Sequence, residues 1–161
     1  MAEPLIRRIE PGDDPAMARI IRDVMTEFGA VGEGYSIMDT EVDAMAEAYA
    51  GSRAAFFVAV VDGVVVGGGG IGPLQEGPPD VCELKKMYLV ETARGHGLGR
   101  RLMEHCLEAA RLAGYDRCYL ETLEHMTDAR RLYERNGFEP LDAPMGDTGH
   151  CGCNGWYIRS L

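Results

Sequence analysis

The sequence predicts a mixed α/β fold built on one sheet, and three observations carry that prediction. The apolar period switches along the chain, from helical spacing in residues 14–28, to continuous or alternating apolar runs in residues 54–90, and back to helical spacing in residues 98–113. The inferred order is strand, two helices, three strands, helix, strand, helix, then one or two strands, an α/β pattern rather than a bundle or a sandwich. The 161 residues, 46% hydrophobic and 26% charged, suit one globular domain over residues 1–161, with no repeat, linker or low-complexity segment.

Residues 5–10, LIRRIE, alternate weakly and run into Pro11 and Gly12, so they read as a short strand and turn. Asp13 or Asp14 is the expected N-cap of the next helix, with Pro15 at its start. Met17, Ile20, Ile21, Val24, Met25 and Phe28 fall on one face, and Gly29 ends it. Residues 39–51 read as a shorter helix with Val42, Met45 and Tyr49 on one side. AAFFVAVV and VVVGGGGIG are two strands joined by Asp62-Gly63, a strong hairpin signal. Gly67 to Gly70 imply a bulge or the close approach of another backbone or a ligand.

After an exposed loop over residues 73–80, residues 81–90 form a strand. Glu83, Lys85, Met87 and Leu89 are expected on one face, with Leu84, Lys86 and Tyr88 on the other. Leu98, Leu102, Cys106, Ala109, Ala110 and Ala113 then line a helix that stops at Gly114. Residues 117–123 are a strand, Thr127 is the expected N-cap of a helix ending at Asn136-Gly137, and FEPL and NGWYIRSL close the chain as short strands.

Composition excludes several function classes. No apolar stretch reaches membrane-spanning length and residues 1–14 lack the apolar block of a secretory signal, so a cytoplasmic location and no membrane partner are expected. Five scattered cysteines are not a disulfide framework. A formal net charge of -10 argues against nucleic acid, whose phosphates need a broad basic face, and slightly favours cationic small substrates. Acidity also serves plain solubility.

Against that acidity, residues 91–106, ETARGHGLGRRLMEHC, place Gly95, Gly97 and Gly99 between Arg94 and the pair Arg100 and Arg101. A strand entering a glycine-rich turn and then a helix presents converging backbone N–H groups at a positive helix terminus, a natural phosphate site. Neither the Walker pattern nor G-x-G-x-x-G is met, since no Gly-Lys-Ser/Thr occurs and the glycines are spaced by twos.

What fits is Arg94, Gly95, His96, Gly97, Leu98, Gly99. This resembles the Gln/Arg-x-x-Gly-x-Gly/Ala pyrophosphate loop of the GNAT N-acetyltransferase family. ARRLYERNGF, residues 129–138, is similar to the family's Ala-x-x-Leu-Tyr-x-x-x-Gly-Phe, and the element order resembles that fold from about Leu5 onward. The resemblance implies a mixed, mostly antiparallel sheet with helices on both faces, splayed between the strands at residues 81–90 and 117–123. It also implies acetyl-coenzyme A as co-substrate and an amine-bearing acceptor, with dimers common in the family.

The resemblance assigns roles to particular residues. The backbone of Met87, Tyr88 and Leu89 would pair with the pantetheine arm as an added strand, with the Leu89 N–H near the thioester carbonyl. Gly95, His96, Gly97, Leu98, Gly99 and Arg100 would hold the pyrophosphate, Arg94 opening the motif and His96 serving as a spacer. Attack on an acyl group needs a neutral amine and hence a base. Glu83 and Glu121 stand at two positions where family members place theirs; the alternative for each is a strand-end salt bridge, with Lys85 or Lys86 as partners for Glu83. Tyr133 resembles the family's general acid, or else packs on coenzyme or core. Met126 stands where many relatives carry an Asn that binds pantetheine, with His125 beside it on a turn.

GDTGHCGCNGW, residues 146–156, offers His150, Cys151 and Cys153, but a zinc site needs a second ligand pair that is absent, so no metal is expected. The segment reads as a connection bordering the acceptor cleft, with Trp156 packing or lining it. The leading function is acetyl-coenzyme A-dependent N-acetylation of a small amine or peptide N-terminus. The alternatives are a non-catalytic coenzyme A-binding sensor and an O- or S-acyltransferase.

Overall fold

Asp62 and Gly63 both take positive φ, 51° and 78°, the backbone a two-residue hairpin demands. They join β2 (Ala55–Val61) to β3 (Val64–Pro73) in the computed structural model, which describes residues 3–161. With β1 (Leu5–Arg8), β4 (Val81–Leu89), β5 (Arg117–Thr122), β6 (Glu139–Leu141) and β7 (Gly155–Ser160), they make one seven-stranded sheet in the order β1-β2-β3-β4-β5-β7-β6. Every neighbouring pair is antiparallel except β4 and β5.

The expected alternation of β4 fails at one place, with consequences for the site. Gly68 pairs with Tyr88 but Gly70 pairs with Lys85, so β4 carries an extra residue there, and Lys86 takes φ 50°. A bulge of this kind reverses which side chains face which way. Before it, Cys82 and Leu84 point into the core beneath the third helix; after it, Met87 and Leu89 do, while Tyr88 joins the opposite core. Lys86 consequently turns toward Asp39 and Glu41.

Helices cover both faces. α1 (Asp14–Glu27) buries Met17, Ile20, Ile21, Val24 and Met25 against Phe56 and Val58, and ends at Gly29, whose φ is 72°. On the other face, α3 (Leu98–Leu112) buries Leu102, Met103, Cys106 and Ala110, with α4 (Thr127–Arg135) adding Tyr133. The run Gly67 to Gly70 serves this packing: a Cβ on Gly68 would stand 2.6 Å from Phe56 Cε1 and 2.8 Å from Met17 Sδ. The close approach expected there is therefore the core's own.

Three local expectations are corrected. Residues 39–51 form a 3-10 turn, Thr40–Asp43, then one helical turn, α2 (Met45–Ala48), interrupted at Ala44 with φ -140°. Tertiary bonds override the helical period: Asp43 is drawn to Arg22 at 2.8 Å, and Asp14 Oδ1 accepts the Ala46 N–H at 2.9 Å. Neither Asp13 nor Asp14 caps α1 with its side chain, because Asp13 is held by Arg7 at 2.7 and 3.0 Å. Thr127 lies inside α4, which starts from a backbone turn in which Met126 donates to the Leu123 carbonyl at 3.0 Å.

Candidate active site

The parallel register of β4 and β5 runs from Val81 opposite Arg117 to Leu84 opposite Leu120 and then stops. Beyond Leu84 the two strands part, leaving the β4 edge from Lys85 to Leu89 without a strand partner on that side. A slot of about 40 Å³ opens in the gap, lined by Glu83, Met87, Tyr88, Glu121, Met126 and Tyr133 among others. Alongside lies a polar cavity of about 180 Å³ that shares Glu83, Lys85 and His150 with the slot.

Between the end of β4 and the start of α3 is the glycine loop. Gly95 and Gly97 take φ 80° and 79°, a conformation that glycine enters without a Cβ penalty. Among the described residues, the N–H groups of Gly95, His96, Gly97, Leu98, Gly99 and Arg100 find no backbone acceptor. Six consecutive free donors at the start of the 15-residue α3 offer hydrogen bonds of the kind an anionic group accepts. Side chains play a smaller part than the arginines suggest. Arg94 grips Glu27 with two bonds of 2.7 and 2.8 Å and donates to the Leu89 carbonyl at 2.9 Å, while Arg100 pairs with Glu104 at 2.9 Å. Arg94 thus ties the end of α1 to the end of β4, and His96 is exposed.

Both glutamates reach the splay, where one ligand atom each from Glu83, Glu121 and His150 lie within 4.8 Å of one another. Their environments differ sharply. Glu83 is 3% exposed and accepts no side-chain hydrogen bond among the described residues. Burial lifts its pKa to about 7, with Glu121 adding to the rise and Lys85 and His150 opposing it. Neither Lys85 nor Lys86 forms the salt bridge considered for it, since Lys86 is taken by Asp39 at 2.6 Å and Glu41 at 3.2 Å.

Glu121 also pays for burial, yet its pKa is lowered because donors surround it. Thr148 Oγ1 donates to Oε1 at 2.5 Å, Tyr119 OH donates to Oε2 at 2.7 Å, and His150 Nδ1 lies 3.6 Å from Oε1. Sequence reasoning missed this surrounding network. His150 Nε2 reaches both oxygens of Asp39, at 2.9 and 3.0 Å. Burial disfavours the imidazolium, but Asp39 and Glu121 together overcome it and raise the His150 pKa to about 9. His150 therefore acts as a counter-ion between two carboxylates, and a protonated imidazole has no lone pair for a metal. Only its place in a glycine-rich segment bordering the cleft hinted at this, because its partner Asp39 lies 111 residues away.

Tyr133 lines the slot, its ring near Phe138 at 6.0 Å and Tyr157 at 6.1 Å. Burial foremost, then the nearby Tyr157, raises its pKa, so the phenol keeps its proton; its hydroxyl has no hydrogen-bond partner among the described residues. It can donate a proton and cannot serve as a base. Met126 also lines the slot, whereas His125 is exposed and bonds the Phe28 carbonyl at 2.8 Å. Trp156 packs with Leu74, Val81 and Tyr119 rather than lining either cavity.

Known proteins share this fold. The chain is 42% identical over 159 residues, 98% of its length and 95% of the relative's, to an uncharacterized N-acetyltransferase, YjgM, of Escherichia coli K12. Its fold matches a GNAT-family acetyltransferase from Staphylococcus aureus Mu50 with TM-score 0.84 at 19% identity, over 99% of both chains. It also matches yncA of Salmonella typhimurium, solved with its cofactor acetyl-CoA, with TM-score 0.78 at 20% identity over 99% of this chain and 95% of that one. Residues 18–138 match the acetyltransferase (GNAT) family model, and with the splayed sheet and its donor loop the chain belongs to the GNAT family of acetyltransferases.

Proposed function

We propose that this acetyltransferase uses acetyl-coenzyme A to acetylate a primary amine of a small molecule or a peptide N-terminus, with Glu83 as general base. The observation that carries the reading is the position of Glu83. Its buried carboxylate, with a pKa of about 7, stands on the wall common to the slot and the polar cavity. A base there can take a proton from an acceptor in the cavity as the amine turns toward the slot, so both substrates are bound at once.

Acetyl-coenzyme A supplies an activated acyl group on a thiol leaving group. The residues fit its binding. The six free N–H groups from Gly95 to Arg100 suit the pyrophosphate, and the unpartnered edge at Met87, Tyr88 and Leu89 suits a pantetheine arm added as a strand. Tyr133, protonated and facing the slot, donates a proton or hydrogen bond toward the departing sulfur. Glu121 takes a supporting role: its lone pairs are engaged by Thr148, Tyr119 and His150, so it holds negative charge beside the site instead of collecting a proton. Glu83, without such donors, is free to collect one.

The test is thiol release from acetyl-coenzyme A with a panel of amines, amino acids and peptides, the product identified by mass. Acceptor-dependent release with an N-acetylated product is expected. Coenzyme binding without release by any acceptor would favour a sensor, and an ester or thioester product would favour O- or S-transfer.

A further inference from the structure

An acidic chain with Asp39, Glu41 and Glu83 around one cavity and Glu121 in the adjoining slot invites a cationic acceptor, but all of these carboxylates except Glu83 are already engaged. Asp39 is shared between His150 and Lys86, Glu41 pairs with Lys86 at 3.2 Å, and Thr148 donates to Glu121. Removing every committed group from the cavity wall leaves four uncommitted ones. Glu83 is one. Among the described residues, Lys85, Gln75 and Thr40 likewise make no side-chain hydrogen bond or ion pair while lining the cavity. Lys85 is half-buried and its ammonium lies 5.9 Å from the centroid of the Tyr49 ring, which holds the stem across the cavity wall.

We infer that the acceptor is a compact zwitterion, whose amine faces Glu83 and whose carboxylate, sulfonate or phosphonate is held by Lys85 with Gln75 and Thr40. The inference rests on the N-acetyltransferase reading and deepens it. One free anion and one free cation, lining one cavity of about 180 Å³, match a molecule carrying one of each charge a few bonds apart. That volume is below the ~300–1,000 Å³ of drug-sized pockets and suits an acceptor of amino-acid size. A dication would instead set a second positive charge against Lys85, with no free carboxylate to receive it. Gln75 and Thr40 are exposed, which puts the anion-binding end at the rim and the amine end inward beside buried Glu83.

The experiment compares kcat/KM of the intact protein for matched acceptors: β-alanine, taurine and 2-aminoethylphosphonate against propylamine, ethanolamine and putrescine. At least one anionic acceptor is expected to exceed every acceptor without an anion by roughly ten- to a hundredfold, the worth of a charge-assisted hydrogen bond. The three anionic arms identify which acid group is used. Lys85→Met is expected to collapse that ratio to within about threefold, chiefly through KM, and Lys85→Arg to retain most of it. Preference for putrescine or ethanolamine in the unmodified protein, or a ratio unmoved in a folded Lys85→Met, would overturn the zwitterion while leaving N-acetylation intact. No release with any amine while coenzyme still binds would overturn the transferase reading itself, and this inference with it.

Discussion

Replacing Glu83 with Gln should make the protein more stable and nearly inactive, and the sizes follow from its burial. Glu83 has a pKa of about 7 in the fold against 4.5 for an ordinary glutamate. A raised carboxylate pKa means that the folded state binds the proton more tightly than the unfolded chain. Its contribution is therefore fully present below pH 4.5 and is lost as pH rises through 7. Burying Glu83 costs ~3 kcal/mol at pH 8, where it is ionised, and under ~1 kcal/mol at pH 5, where the folded state holds it protonated. Gln has the same shape and no such cost. The stability gap between Glu83→Gln and the parent should then widen by ~2–3 kcal/mol between pH 5 and pH 8, or roughly 5–10 °C in Tm for a chain of this size. Thermal unfolding at the two pH values measures it. Turnover should fall by roughly 10²–10⁴, the ordinary worth of a general base, and the acid limb of kcat/KM near pH 7 should vanish. A variant that turns over within about threefold of the parent with its acid limb intact, or whose Tm gap ignores pH, would refute the argument.

Tyr133→Phe should lower kcat by more than tenfold with coenzyme affinity within about threefold, as measured by calorimetry and steady-state rates; an unchanged rate removes the phenol from proton donation. Gly97→Val places a β-branched residue at φ 79° in the donor cradle, so coenzyme affinity should drop more than tenfold while circular dichroism stays native. His150→Gln removes a positive charge that lowers the pKa of Glu83, so the acid limb of kcat/KM should move above pH 7. Because the folded pKa of His150 is raised from 6.5 to about 9, its stabilisation is complete below pH 6.5 and lost through pH 9; the parent should lose more stability across that window than His150→Gln, in which Glu83 alone of the pair still titrates there.

Local signals carried much of the fold. Periodicity placed α1 and α3 with the buried faces they show, Asp62-Gly63 placed the hairpin, and the spaced glycines marked the donor loop before α3. Each depends on interactions within a few residues, so the chain states it directly. Where an interaction bridges distant segments, the local reading faltered: residues 39–51 broke into two short turns once Arg22 and Asp14 claimed their polar groups.

The site divides in the same way. That Glu83, Glu121 and Tyr133 lie beside the splay was legible through the family resemblance, which sets them on β4, β5 and α4 around the gap. Their relative roles were not, because a carboxylate's pKa depends on the donors and charges brought to it through space. By itself, the sequence determined the period of each long element, the permissive glycine backbone of the donor loop and the residue types available for chemistry, all of which are short-range properties. Only the tertiary structure decided the bulge at Lys86 that turns it toward Asp39 and Glu41, and the placing of His150 between Asp39 and Glu121. Those pairings leave Glu83 and Lys85 as the cavity's uncommitted charges, because neutralisation is set by distance in space and not by distance along the chain.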